Sequence, residues 1–214
     1  MNPSAEWRHI EFARVISCKL CTKATDSNPL RDDGENVPQP GYIGSKYRNV
    51  RVLLVGQNPG TPKSLSAQDL PYTAALRALR DEPTTQRYKE LRTVLRTFIP
   101  QWPVQNNHFP LIESGLTLDD IAYCNIVRCR TTGDGTPREL LSKQCLNEHF
   151  VRWLNLLNPK VVVFIGKWAW RQGSSAVGAK GIPCAFINRQ RSLSTTERVE
   201  NRAQVVALVR KHHG

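Results

Sequence analysis

Four of the chain's six cysteines fall in a split pattern: Cys18-Lys-Leu-Cys21 near the start, then Cys129 and Cys145 with fifteen residues between them. Thiolates are soft metal ligands, and this set suits either zinc or an iron–sulfur cluster. Structural zinc usually takes two close pairs, and here only the first pair is close. The spacing therefore points first to a cluster, with zinc as the alternative. A CxxC redox motif normally opens a helix after a strand, and no strand pattern precedes Cys18. The remaining reading is four unrelated cysteines. Cys124 and Cys184 lie inside apolar runs and read as core thiols.

Two asparagines are the next candidates. Gly56-Gln57-Asn58-Pro59-Gly60 directly follows the apolar run Val52–Val55. The glycines permit tight turning and close approach of a ligand, and the proline stiffens the loop. Asn58, with Gln57 beside it, offers a carbonyl and an amide that can hold a water. The bland alternative is an ordinary strand-to-helix turn. The loop is neither a GxxxxGKS/T phosphate loop nor a GxGxxG fingerprint. Asn125 stands inside a second apolar run, between Cys124 and Ile126. A polar amide there needs partners or costs a few kcal/mol. Its adjacent donor and acceptor match a pyrimidine edge, or else it bonds neighbouring backbone. Two basic loops follow apolar runs: Arg128-Cys129-Arg130-Thr131-Thr132 and Asn188-Arg189-Gln190-Arg191-Ser192. Arg128, Arg130, Arg189, Arg191 and Ser192 suit contacts to DNA phosphates, against the plainer reading of solvated charge.

These residues need elements to position them. Four apolar runs read as strands: Val52–Val55, Ile121–Val127, Val161–Ile165 and Pro183–Ile187. Three are β-branched and nearly unbroken, as in strands buried on both faces. Helical patterns cover 6–17, Thr84–Ile99, Glu139–Leu157, Lys167–Val177 and Thr195–His212. Alternation of this kind implies an α/β fold, with a parallel sheet covered on both sides. The first helix delivers Cys18 and Cys21 at its end. Thr136-Pro137-Arg138-Glu139 is a cap, a first-turn proline and a capping-box glutamate, which starts a helix near Pro137. Residues 25–49 are rich in Asn, Asp, Pro, Gly and Arg and read as a long surface loop.

At 214 residues the chain fits one domain, 1–214, able to bury a core. No run approaches eighteen apolar residues, and the N-terminus carries no secretory pattern. A monomer in a reducing cytoplasm, near the nucleoid, is the expectation, and cysteines there are ligands or thiols rather than disulfides. The formal charge of +12 favours a polyanionic partner, with nucleic acid first.

Three stretches resemble the uracil-DNA glycosylase superfamily, specifically its iron–sulfur branch (family 4). One is the N-terminal CxxC. Another is VLLVGQNPG, standing where the branch has a strand and GEAPG. The last runs from IAYCNIVRCRTTGDGTP through Cys145 to LNPKVVVFIGKWA. The resemblance covers most of residues 12–192. It implies a three-layer α/β/α fold around a mostly four-stranded parallel sheet, and an enzyme that flips a nucleotide out of DNA and hydrolyses the base–sugar bond. By position, Cys18, Cys21, Cys129 and Cys145 would hold a four-iron four-sulfur cluster. Asn58 would position the attacking water, and Asn125 would read the flipped base. Tyr72, in Leu70-Pro71-Tyr72, falls near the family's stacking phenylalanine.

The sequence departs from the family at its third motif. HPS is missing, and Phe186–Leu193 occupies its place. Asn188, Arg189 or Arg191 would have to replace the histidine that stabilises the departing base. Gly60 stands where the strictest uracil enzymes place a bulky tyrosine, so substituents at position 5 of the base are permitted. No lysine nucleophile is implied. The expectation is a monofunctional enzyme that leaves an abasic site, acting on uracil, a deaminated base or a modified pyrimidine such as a phage cytosine. An amide can turn its donor and acceptor around, so Asn125 does not separate uracil from cytosine. The rival reading is a degenerate glycosylase fold that binds DNA without cutting it.

Overall fold

The structure is a computed structural model. It describes residues 7–23, 37–60, 69–98, 109–111, 113–188 and 194–213. In chain order the helices are α1 (Trp7–Ile16), α2 (Tyr47–Val50), α3 (Asp69–Asp81), α4 (Thr85–Phe98), α5 (Glu139–Cys145), α6 (Val151–Leu157), α7 (Lys167–Gly178) and α8 (Thr195–His213). The strands are β1 (Tyr42–Ile43), β2 (Val52–Gly56), β3 (Ile121–Asn125), β4 (Val161–Ile165) and β5 (Cys184–Ile187). The chain divides into two compact units. One comprises residues 1–40, 58–100 and 127–145, the other residues 41–57, 101–126 and 146–214.

The second unit holds the whole sheet, in the order β1-β3-β2-β4-β5. β2, β3, β4 and β5 run parallel, and β1 adds a two-residue antiparallel edge to β3. The four parallel strands are those expected. Val52, Leu54, Val161 and Val163 turn to one face, where they meet Phe109, Leu111 and the α8 residues Val205 and Val209. On the other face Phe164 packs against Phe150 at 6.3 Å, and Phe186 against Trp170 of α7 at 5.3 Å. Strands covered on both faces have no polar side to show, which is why their sequences do not alternate. Helix, sheet and helix thus form three layers within this unit. The chain goes from β2 to β3 on one side and returns to β4 on the other, so the carboxyl end of β2 is a topological switch point, where open parallel sheets bind ligands.

In the first unit α1, α3 and α4 pack together. Tyr88, Leu91 and Leu95 of α4 form the expected three- and four-residue stripe and are buried. Phe12 of α1 meets Tyr88 edge-on at 5.0 Å.

Three expectations change. Residues 37–43 are not a surface loop: all but Gln39 are buried, and Tyr42 and Ile43 form β1. Residues 25–36 of that stretch lie outside the described residues. The single helix expected over Glu139–Leu157 is instead α5, a π-turn at Leu146–Phe150, and α6. An extra residue per turn rotates the helix, so Trp153 and Leu154 are buried at a phase that Cys145 alone would not predict. α3 was not anticipated, because Pro71 near its start reads as a breaker, yet proline is tolerated in a first helical turn.

Candidate active site

β2 and β3 pair in register, so Gly56 lies opposite Asn125 at the carboxyl ends of both strands. The Ile126 N–H donates to the Gly56 carbonyl at 2.9 Å and holds the two ends together. Asn125 is 5 % exposed. Its Oδ1 accepts a hydrogen bond from the Tyr123 hydroxyl at 2.8 Å. Tyr123 and Asn125 are two apart on one strand and so share a face. A Cβ at Gly56 would fall 2.2 Å from Asn125 Oδ1 and 2.8 Å from the Tyr123 hydroxyl. Only glycine leaves room for the carboxamide there.

The first unit carries the other asparagine. Asn58 is half-buried in the turn after β2. Its Nδ2 donates to Thr131 Oγ1 at 3.0 Å and, more weakly, to the Pro59 carbonyl at 3.3 Å. The fully buried Thr131 hydroxyl in turn donates to the Gly135 carbonyl at 2.5 Å. Thr131 therefore has its proton committed and can only accept from Asn58. The amide end of Asn58 is fixed, and Oδ1 is its remaining acceptor. Arg130 Nε donates to the Gly60 carbonyl at 2.9 Å, which ties the far end of the same turn.

The family model of the uracil DNA glycosylase superfamily matches residues 44–210, most of the chain. The chain belongs to the uracil DNA glycosylase superfamily. It is a DNA glycosylase, and its substrate is DNA. The chain is also similar to a type-4 uracil-DNA glycosylase of Thermotoga maritima, 25% identical over 170 residues that cover 79% of this chain and 67% of the relative.

A glycosylase of this superfamily with four spaced cysteines invites a test of the metal site, and all four lie in the first unit. Cys18 follows α1, with its N–H bonded to the Val15 carbonyl at 3.1 Å. Cys21 sits in the 3-10 turn Leu20–Lys23, Cys129 follows β3, and Cys145 ends α5. The Cys21 thiol is pushed far up by hydrogen bonding to Cys145, then by burial and by Cys129 and Cys18. Burial, with Cys145 and Cys18, pushes Cys129 up. Cys145 is held down by Cys21, against burial, and further by the Arg128 N–H and guanidinium. Each thiol thus feels at least one of the others. Among the described residues no three His, Cys, Asp or Glu side chains are gathered as a ready metal site. The two observations are compatible. Paired thiols share protons at S–H···S distances, and ligation begins only when those protons leave. Four soft donors from three places in the sequence lie in one compact unit, with Cys21 bonded to Cys145, and their chemistry suits a thiolate-bound centre.

Several expected DNA contacts change. Arg128 is 0 % exposed. Its Nη1 donates to the Pro40 carbonyl at 2.5 Å, and its main chain supplies both an N–H toward Cys145 and a carbonyl to Gln39. A guanidinium this buried, which helps hold the Cys145 thiol down, is turned into the protein and not toward a phosphate. Arg130 is also buried, with its guanidinium turned to Gly60. Tyr72 is buried on α3 at 3 % exposure, so stacking on a base needs its cover to move. Arg189, Arg191 and Ser192 lie outside the described residues.

Other expected positions are where the motif put them. Gln57 is half-buried between Gly56 and Asn58. A Cβ at Gly60 would meet nothing within 4 Å among the described residues, and Gly60 is exposed. Asn188 follows β5, in the stretch that replaces HPS. Its N–H donates to Asn201 Oδ1 at 2.8 Å, and Asn201 Nδ2 donates to the Phe186 carbonyl at 3.1 Å. Asn201 of α8 is thus a strap on this loop. Sequence reading missed Asn201, Thr131 and Tyr123. Only Tyr123 carried a signal, its two-residue step from Asn125.

Proposed function

We propose that this chain is a monofunctional DNA glycosylase, working as a single domain and a monomer, that excises a deaminated or modified pyrimidine and leaves an abasic site. Asn58 holds the attacking water, and Asn125 reads the extruded base. The observation that carries the reading is the clamp on Asn58. With both amide protons directed at Thr131 and Pro59, its Oδ1 is the group left to accept a hydrogen bond from water. A neutral carbonyl orients water but takes its proton poorly, so much of the barrier must be lowered at the departing base. We assign that task to the stretch after β5, which includes Asn188 and Arg189. Arg191 and Ser192 would grip the flanking phosphates and offset the few kcal/mol spent on unstacking the base.

Cys18, Cys21, Cys129 and Cys145 would hold a four-iron four-sulfur cluster, with zinc as the alternative. Its contribution when bound is structural: it joins the end of α1 to the loop after β3 and to the end of α5. The converging thiols and the Arg128 counter-charge support this. Iron gives a brown protein with broad absorbance near about 400 nm, and zinc a colourless one. The space at Gly60, open among the described residues, supports a base substituted at position 5, and modified cytosine in phage DNA belongs to that class. Both repair and defence against phage are roles for such an enzyme in the cytoplasm, at the nucleoid.

The test is an oligonucleotide panel carrying uracil, hypoxanthine, 5-hydroxymethylcytosine or its glucosylated form, with alkali to reveal abasic sites. Cleavage of at least one, lost in Asn58→Ala, is expected. Tight binding to all with cleavage of none makes the chain a DNA-binding module. Cleavage that survives Asn58→Ala removes Asn58 from the water site.

A further inference from the structure

The Asn125 carboxamide is fastened at one end and open at the other. Its Oδ1 accepts from the Tyr123 hydroxyl and lies against Gly56, where even a methyl group would collide with it. Its Nδ2 has no hydrogen-bond partner among the described residues, although the side chain is 5 % exposed. A donor left in that state is available to a ligand acceptor. The oxygen is therefore spent on the protein and the N–H is kept for something else.

We propose that Tyr123 is a specificity-determining residue: its hydroxyl fixes the direction in which Asn125 reads a base, so that the base meets an N–H donor. This rests on the reading of Asn125 as the base reader. A carboxamide that turned freely would present donor or acceptor at will and accept bases with either edge. With its oxygen accepting from Tyr123, it favours a base that places a carbonyl oxygen or a ring-nitrogen lone pair before Nδ2. It penalises one that places an amino group there, since two donors would meet. Oxo and amino pyrimidines differ in this way at position 4. Tyr123 touches the reader and not the reacting atoms, so it is a positioning residue.

Tyr123→Phe removes one oxygen and keeps the ring, which packs on the core beside Leu54 and Val163. Two matched oligonucleotides carry 5-hydroxymethyluracil or 5-hydroxymethylcytosine at one position. In the wild type the two differ in kcat/KM. In Tyr123→Phe that ratio moves toward one by roughly three- to tenfold, the worth of one neutral hydrogen bond. A role in stability alone would lower both rates together and leave the ratio alone, and that result overturns the proposal. A second readout needs no substrate. The Asn125 side-chain amide, observed by ¹⁵N nuclear magnetic resonance, gives one sharp proton pair in the wild type. It broadens or splits in Tyr123→Phe, and an unchanged pair also overturns the proposal. A wild type that cleaves no base at all refutes the glycosylase reading of the site, and the amide spectrum still decides the part played by Tyr123.

Discussion

Replacing Thr131 by valine should uncouple Asn58 from its scaffold while keeping the shape of the site. Valine matches threonine in size but deletes both hydrogen bonds of the hydroxyl, to Asn58 Nδ2 at 3.0 Å and to the Gly135 carbonyl at 2.5 Å. Thr131 is fully buried, so no water takes its place at the hydroxyl. Each lost bond is worth about 0.5–1.5 kcal/mol net, which sets a stability loss of roughly 1–3 kcal/mol. The larger effect falls on rate. Asn58 keeps only the weak contact to Pro59 and can turn its carboxamide over. A water misplaced by about 1 Å costs on the order of 100-fold. The expectation for Thr131→Val is a kcat down about 30- to 100-fold, with KM within about twofold. Thr131→Ser, which restores the hydroxyl, should return to within about threefold of wild type. Single-turnover cleavage of whichever oligonucleotide is excised measures this. Asn58→Asp supplies the control. A carboxylate offers an oxygen at either end and needs no key, so Thr131→Val should cost much less in that background. If Thr131→Val leaves kcat intact while Asn58→Ala abolishes it, the argument from the clamp is wrong.

Gly56→Ala puts a methyl group 2.2 Å from Asn125 Oδ1, so the reader must move. The protein should remain folded by circular dichroism and lose more than about 100-fold in kcat/KM, and near-normal activity would show that Asn125 does not read the base. Gly60→Tyr meets nothing at its Cβ among the described residues and should fold normally, while excision of 5-substituted bases falls far more than excision of plain ones. Arg128→Met removes the counter-charge beside Cys145 and should destabilise the fold by about 2–5 kcal/mol in urea melts. It should leave the slope of log Kd against log salt unchanged, whereas a phosphate contact would reduce that slope by about one.

The sequence exposed the fold well because its strands are buried on both faces, and such strands need unbroken β-branched runs. Val161–Ile165 matched to the residue, and β2 and β3 differed only at their ends. α7 was legible from its own pattern, whereas α8 has only Val205 and Val209 buried against the sheet and shows little stripe. Residues 37–43 were misread because proline and glycine signal turns, whereas here Gly41 and Tyr42 sit against β3. The π-turn after Cys145 was invisible, since one added residue shifts the phase without altering composition. Among the candidate site residues, Asn58 and Asn125 stood out because an amide in a strand-end loop or an apolar strand is conspicuous. Arg128 and Arg130 were misassigned because a charge reads as solvent-facing by default, and only coordinates show one enclosed near Cys145 and the other turned onto a backbone carbonyl.

What links the missed residues is the asymmetry of the carboxamide. A carboxylate has two equivalent oxygens and does its work in either orientation. An asparagine turned over presents a donor where an acceptor is required, and the error destroys the function. A site built on asparagine therefore carries a second demand, a fixed hydrogen bond at the end that must not face the ligand. Thr131 meets this demand by accepting from Asn58, which keeps its oxygen outward. Tyr123 meets it by donating to Asn125, which keeps its nitrogen free. The two hydroxyls play opposite hydrogen-bond roles, which suits the opposite tasks proposed for the two amides, one to hold water by its oxygen and the other to greet a base with its N–H. Neither hydroxyl belongs to a recognisable motif, because the requirement is one of direction, and direction is set by the lone pair or proton each hydroxyl has left after its other bonds are made.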